Sequence, residues 1–182
     1  MARSPLPLDY EAADTLVVSE PAQLRALGDD VRGRIVALLR ERATSASELA
    51  GLLDMPKGTV GHHLKVLERA GLIRVVRTRQ VRAVTEKYYG RVARLFLYQS
   101  CDERDDELVH GVAVTAFRTA AAELAASADI ENQGLLRVRL SPADVRRFDR
   151  RLEKLKDDIQ AAEAPEGEPW GLAVALYKSP RH

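Results

Sequence analysis

The chain has 182 residues, 46% hydrophobic and 30% charged, with 28 Lys and Arg against 27 Asp and Glu; these values suit one packed domain or two small ones. No apolar run approaches the roughly 18 residues needed to span a bilayer, and the N-terminus lacks a signal-peptide apolar core, so neither a membrane-spanning nor a secreted protein is expected. The single Cys101 excludes an internal disulfide and a thiolate metal cluster, and makes a reducing cytoplasm the expected compartment.

Residues 1–19 read as a Pro-containing N-terminal arm without a clear element. Helices are expected over 21–28 and 30–42, with Leu24, Leu27, Ile35, Leu38 and Leu39 supplying core. The most informative stretch follows, TSASELAGLLDMPKGTVGHHLKVLERAGLI at 44–73. Ser45 with Glu48 three residues on has capping-box spacing, and Leu49, Leu52 and Leu53 give the helix an apolar stripe. Asp54 to Gly58 breaks it, since Pro56 and Gly58 punctuate and proline is welcome at a helix start. In the second helix, 57–70, Val60, Leu64 and Leu67 face inward at i, i+4, i+7. Gly71 stops it as a C′ glycine does. A short helix, a turn and a second helix with small, polar and basic residues near its start is the form a major-groove reader requires.

Downstream, strands are expected near 72–78 and 81–88, with Ile73, Val75, Val81 and Val84 between arginines and a turn near Arg79-Gln80. That turn lacks Gly or Asn, so local turn chemistry gives the hairpin little support. A helix is expected over 88–99 and a longer, alanine-rich one over 103–127, where Leu108, Val112, Ala116, Phe117, Ala120 and Leu124 recur at helical spacing. In the last third, GLLRVRL (134–140) and EPWGLAVALY (168–177) alternate like strands. Between them Ser141-Pro142 opens a helix striped by Val145, Phe148, Leu152, Leu155 and Ile159. The reading is a small β-α-β appendage.

The segment SASELAGLLDMPKGTVGHHLKVLERAGLI and the basic strand pair after it resemble the winged helix-turn-helix of ArsR-type bacterial transcriptional regulators, over roughly residues 20–98. The pattern is carried by Thr59-Val60, His63-Leu64, Leu67 and Ala70-Gly71-Leu72-Ile73. Upstream, LRALGDDVRGRIVALL (24–39) is similar to the family's first core helices, although Asp30 stands where a proline is frequent. The fold expected is mainly α with small β: a winged helix-turn-helix domain at 20–100, then a long dimerisation helix and the β-α-β region over 101–182. The resemblance implies a homodimer that binds double-stranded DNA, with the partner's copy of helix 103–127 as its dimer contact.

Charge supports a polyanion partner. Residues 1–100 hold 16 Lys and Arg against 11 Asp and Glu, whereas residues 101–182 hold 12 against 16. Within 55–100 ten basic residues face only Glu68 and Glu86. Thr59, His62, His63 and Lys65 are the candidates for DNA contact, with Lys57 and Gly58 near a phosphate at the helix start. A packing role for His63 inside the motif is the competing reading. Arg77 and Arg79 stand out among the wing arginines Arg74, Arg77, Arg79 and Arg82, against the alternative of a charged edge that blunts aggregation. Tyr88 and Tyr89 read as packing residues.

Many ArsR-type regulators bind metals. Here only Asp106 and His110, at i, i+4, offer an oxygen/nitrogen pair, with Asp102 or Glu103 nearby. A lone pair of this kind is ordinarily a solvated helix face, so no metal or other cofactor is expected. Phe148, Trp170 and Tyr177 are candidates to line a small-molecule effector pocket, against the plainer reading of core. No nucleophile and base arrangement, phosphate loop or H-E-x-x-H element points to an enzyme. The function expected is a DNA-binding repressor reading an inverted repeat. The alternatives are a winged-helix protein-interaction module, or a ligand-sensing regulator controlled through the C-terminal region.

Overall fold

The computed structural model describes residues 9–81, 84–98, 105–162, 164, 167, 168 and 170–178. It forms two compact units, Leu8–Glu123 and a second one from Leu124 onward. In the first, strand β1 (Ala13–Val18) leads into helices α1 (Pro21–Leu27) and α2 (Asp30–Glu41) and a two-residue strand β2 (Thr44–Ser45). The helix pair α3 (Ala46–Leu53) and α4 (Lys57–Arg69) follows, then strands β3 (Ile73–Val81), β4 (Val84–Arg91) and β5 (Ala93–Tyr98), and the long helix α5 (Asp106–Ala126). The second unit contains helix α6 (Pro142–Ala161).

Local sequence explains most of these starts and stops. Asp29 caps α2 by accepting from the Arg32 N–H at 2.9 Å, which places Asp30 in the first turn, where its charge suits the helix dipole. Ser45 and Glu48 make both bonds of a capping box at the start of α3. Gly71 closes α4 at φ +69°, with Gly71 N–H donating to Glu68 O and Leu72 N–H to Leu67 O, the paired bonds of a Schellman stop.

The core sits where α1–α4 meet the sheet. Leu24, Ile35, Leu39, Leu49, Val60, Leu64, Leu67 and Leu72 are fully buried, each worth roughly 1.5–3 kcal/mol of transfer free energy. Leu52 departs from expectation: it is exposed, while Leu49 and Leu53 are buried and Ala46 and Ala50 pack against the core from the inner face of α3. α5 lies against α2, with Val112 and Thr115 buried and the Thr115 methyl 3.0 Å from where a Cβ on Gly33 would stand.

Three expectations need correction. Most of the expected helix 88–99 is strand instead: β4 runs on to Arg91, and after Val92 β5 pairs in parallel with β1 from Ala13↔Ala93 to Val18↔Tyr98, while residue 99 lies outside the described ones. The N-terminal arm therefore supplies a strand partner some 80 residues away in sequence, a tertiary contact that overrides local propensity. The wing turn also shifts. Arg79 and Gln80 lie inside β3, opposite Glu86 and Thr85, and the residues joining β3 to β4, including Arg82, fall outside the described ones.

Finally, the β-α-β appendage is not formed within one chain. α6 is present and capped by Ser141, but 134–140 and 170–178 carry no strand. An alternating segment becomes a strand only where a neighbour takes up its N–H and C=O groups; Leu136 is 86% exposed. Among the described residues, no helix is long and apolar enough to cross a membrane.

Candidate nucleic-acid interface

α3 and α4 are joined by Asp54-Met55-Pro56. Asp54 takes the left-handed conformation at φ 52°, and the Met55 N–H donates to Ala50 O at 3.0 Å, which turns the chain sharply. α4 begins without a side-chain cap; only Thr59 and Val60 N–H reach back to Pro56 O. The first-turn N–H groups of Lys57 and Gly58 have no partner further back in their own helix, the usual condition of a helix start.

Val60, Leu64 and Leu67 anchor α4 in the core. The opposite side carries Gly58, His62, Lys65 and Arg69, all exposed and related by three- and four-residue steps, with exposed Lys57 and Thr59 at its start. The expected residues Lys57, Gly58, Thr59, His62 and Lys65 thus share the accessible surface of the first two turns and a half. Sequence reasoning passed over Arg69, although its position four residues after Lys65 carried the signal.

His63 is placed differently. Its side chain is turned inward, only 14% exposed, with Nδ1 buried and 3.8 Å from the Asp29 carboxylate at the start of α2. Its ring meets that of His62 edge-on at 5.9 Å. The ring of His63 thus lies between α4 and the start of α2.

In the wing, β4 is the central strand of the sheet β2-β4-β3. A bulge between Val75 and Arg77 shifts the register so that Arg77 faces Tyr88 directly. The Arg77 guanidinium stacks 4.6 Å over the buried Tyr88 ring and pairs with Asp9 at 2.9 Å. Asp9 is itself held by the Ala43 N–H at 2.7 Å. Arg79 is exposed opposite Glu86, and Arg74 donates to the Glu11 carbonyl at 2.8 Å. The N-terminal segment therefore reaches two wing arginines, a pairing no local pattern announces. Tyr88 is buried and Tyr89 half-buried against the core, without the following helix that was expected to cover them, and burial raises the Tyr89 pKa.

Next to the wing, Tyr10 bridges from the arm by accepting from the Arg91 N–H at 3.1 Å. Burial raises the Tyr10 pKa above its ordinary value. Arg91 is buried with its guanidinium 4.1 Å over Phe96 and its Nε unpartnered; desolvation lowers its pKa to about 10.

The other candidates are dispersed. Asp106 and His110 are exposed near the start of α5, and among the described residues no three His, Cys, Asp or Glu side chains come together to hold a metal. Asp102 and Glu103 fall outside the described residues. Trp170 and Tyr177 are 60% and 62% exposed and Phe148 is partly buried, so the first two are neither core nor enclosed by a pocket.

Residues 27–76 match a family model described as a helix-turn-helix domain. The match spans α2, α3, α4 and the start of β3, the elements that present the exposed face of α4. Residues 27–76 are a helix-turn-helix domain. Solved structures similar to the chain include HlyU from Vibrio cholerae N16961, 22% identical over 49% of this chain and 82% of that one, with a TM-score of 0.33. Another is the cadmium metal-sensor CMTR from Mycobacterium tuberculosis, 17% identical over 65% and 100%, at 0.32. A third is an ArsR-like transcriptional regulator from Rhodococcus sp. RHA1, 19% identical over 78% and 91%, at 0.32. No curated protein matches the sequence. Outside the matched residues, β1 and β5 pair as a separate two-stranded sheet, β4 completes the three-stranded sheet with β2 and β3, and α5 packs against α2.

Proposed function

We propose that the protein is a homodimeric repressor that reads an inverted-repeat operator by laying α4 in the major groove, with wing arginines against the flanking phosphates. The observation that carries this reading is the pair Gly58 and Gly61 on α4. A Cβ added at either would meet nothing within 4 Å, so the fold itself does not demand a glycine there. Glycine in a helix interior costs about 0.5–1 kcal/mol relative to alanine, a cost that Gly61 carries and first-turn Gly58 does not. Small residues beside exposed Thr59, His62 and Lys65 suit a surface that a bulky, rigid partner approaches closely, and the cationic surroundings match a duplex.

In this reading Thr59 and His62 meet base edges, while Lys57, Lys65 and Arg79 meet phosphate oxygens. His63 serves from behind by holding α4 against α2. The dimer forms through the outer side of α5, where Val114, Phe117 and Leu124 are exposed while Val112 is buried in the core and Thr115 faces α2. Two copies of α4 then meet half-sites about one helical turn apart. Selection from a random duplex library tests the reading: an inverted repeat should emerge. Enrichment of no sequence, together with binding insensitive to salt, would remove it.

A further inference from the structure

We infer that α6 is a second self-association element, packing antiparallel against α6 of another copy of the chain. No residue of α6 is buried, and Val145, Leu155 and Ile159 are 40%, 45% and 48% exposed. Together with Phe148 and Leu152 these apolar residues follow steps of three and four, the a/d spacing of a coiled coil. Val145, Leu152 and Ile159 take the a positions, and Phe148 and Leu155 the d positions.

The flanking charges decide the orientation. In an antiparallel pair, a residues meet d residues, so Leu152 meets Leu155 of the second copy and Phe148 meets Ile159. At that register Arg151 stands near Asp158 of the second copy, and Asp149 near Lys156. Each of these opposite-charge pairs occurs twice by symmetry. A parallel pair in register would instead set Arg151 beside Lys156 and Asp144 beside Asp149, all like charges.

Within one copy Lys156 pairs with Glu153 at 2.6 Å and Arg147 with Asp144 at 2.8 Å. These are exposed contacts one helical turn apart, worth little and easily exchanged. The occupant is a second copy because the complement of this charge order is the same order reversed. The contact is separate from the proposed α5 interface, and its test reads α6 alone.

The test uses the full chain carrying Cys101→Ser and a nitroxide on either Lys154→Cys or Ala143→Cys. Position 154 lies almost level with itself across the antiparallel pair, so its label–label distance should be below about 20 Å. Position 143 is offset from its counterpart by about 30 Å along the axis and should give a much longer distance. Arg151→Glu should abolish the short distance, and Arg151→Glu with Asp158→Arg should restore it, which separates lost pairing from a lost helix. Equal short distances at both positions, no defined distance at 154, or a short distance unaffected by Arg151→Glu would overturn the inference. Each of these results leaves DNA selection by α4 and association through α5 to be judged by their own measurements.

Discussion

The decisive residue-scale feature is that Arg77, a wing cation expected to meet phosphate, already faces a carboxylate. Asp9 holds it at 2.9 Å while its other oxygen accepts from the Ala43 N–H. A phosphate approaching Arg77 therefore meets a fixed negative charge beside it. Asp9→Asn keeps an oxygen for Ala43 and removes the charge. It should tighten duplex binding about fivefold at moderate salt and steepen the salt dependence by close to one counterion. In an Arg77→Ala background the same change should do nothing. Weaker binding by Asp9→Asn, measured by titration of labelled duplex, would mean that Asp9 orients Arg77 instead of opposing the phosphate. Such a contact was illegible in the sequence because Asp9 and Arg77 are distant along the chain and neither lies in a motif. The exposed face of α4 was legible, since helical period alone separates Val60, Leu64 and Leu67 from His62 and Lys65. His63 fell between these faces, and only the neighbouring α2 settled its direction.

At the scale of elements, the helices with local caps and stops were legible, whereas the helix expected over 88–99 had none and is largely strand. Ser45 with Glu48, Gly71, and Ser141 with Pro142 each mark a boundary through bonds made within a few residues. β5 was missed because its partner, β1, comes from the other end of the unit and its pairing is parallel. Tyr10 fastens this arm to the wing. Its ring lies where a Cβ on Gly90 would stand, at 2.7 Å from Cε2, so Gly90 is required for the arm to lie flat on β4. Gly90→Ala should destabilise the protein by about 1–3 kcal/mol in urea unfolding, the usual cost of overpacking. With Tyr10→Ala already present, Gly90→Ala should add little. A full additional loss in that background would show that the arm is not what Gly90 accommodates.

For the whole molecule, charge is divided along the chain: cations gather on the helix-turn-helix and wing, acids beyond residue 100. The C-terminal strands expected from alternation are not strands in one chain, since alternation specifies a face but not the neighbour that completes a ladder. Association through α5 predicts that Phe117→Glu, a charge set into an exposed apolar stripe, shifts sedimentation toward monomer by tenfold or more in dissociation constant when measured in the Arg151→Glu background, where α6 does not pair. An unchanged constant would place the dimer contact elsewhere.

The salt dependence of duplex binding by the wild type and by Lys65→Ala tests the DNA-reading role of α4 most directly. Lys65 is exposed on the outer side of α4. Its removal should lower the logarithmic salt slope by about 0.9 and weaken the selected and unrelated duplexes by the same factor. Identical slopes for the two proteins, or a wild type whose binding ignores salt, would contradict the placement of α4 against DNA.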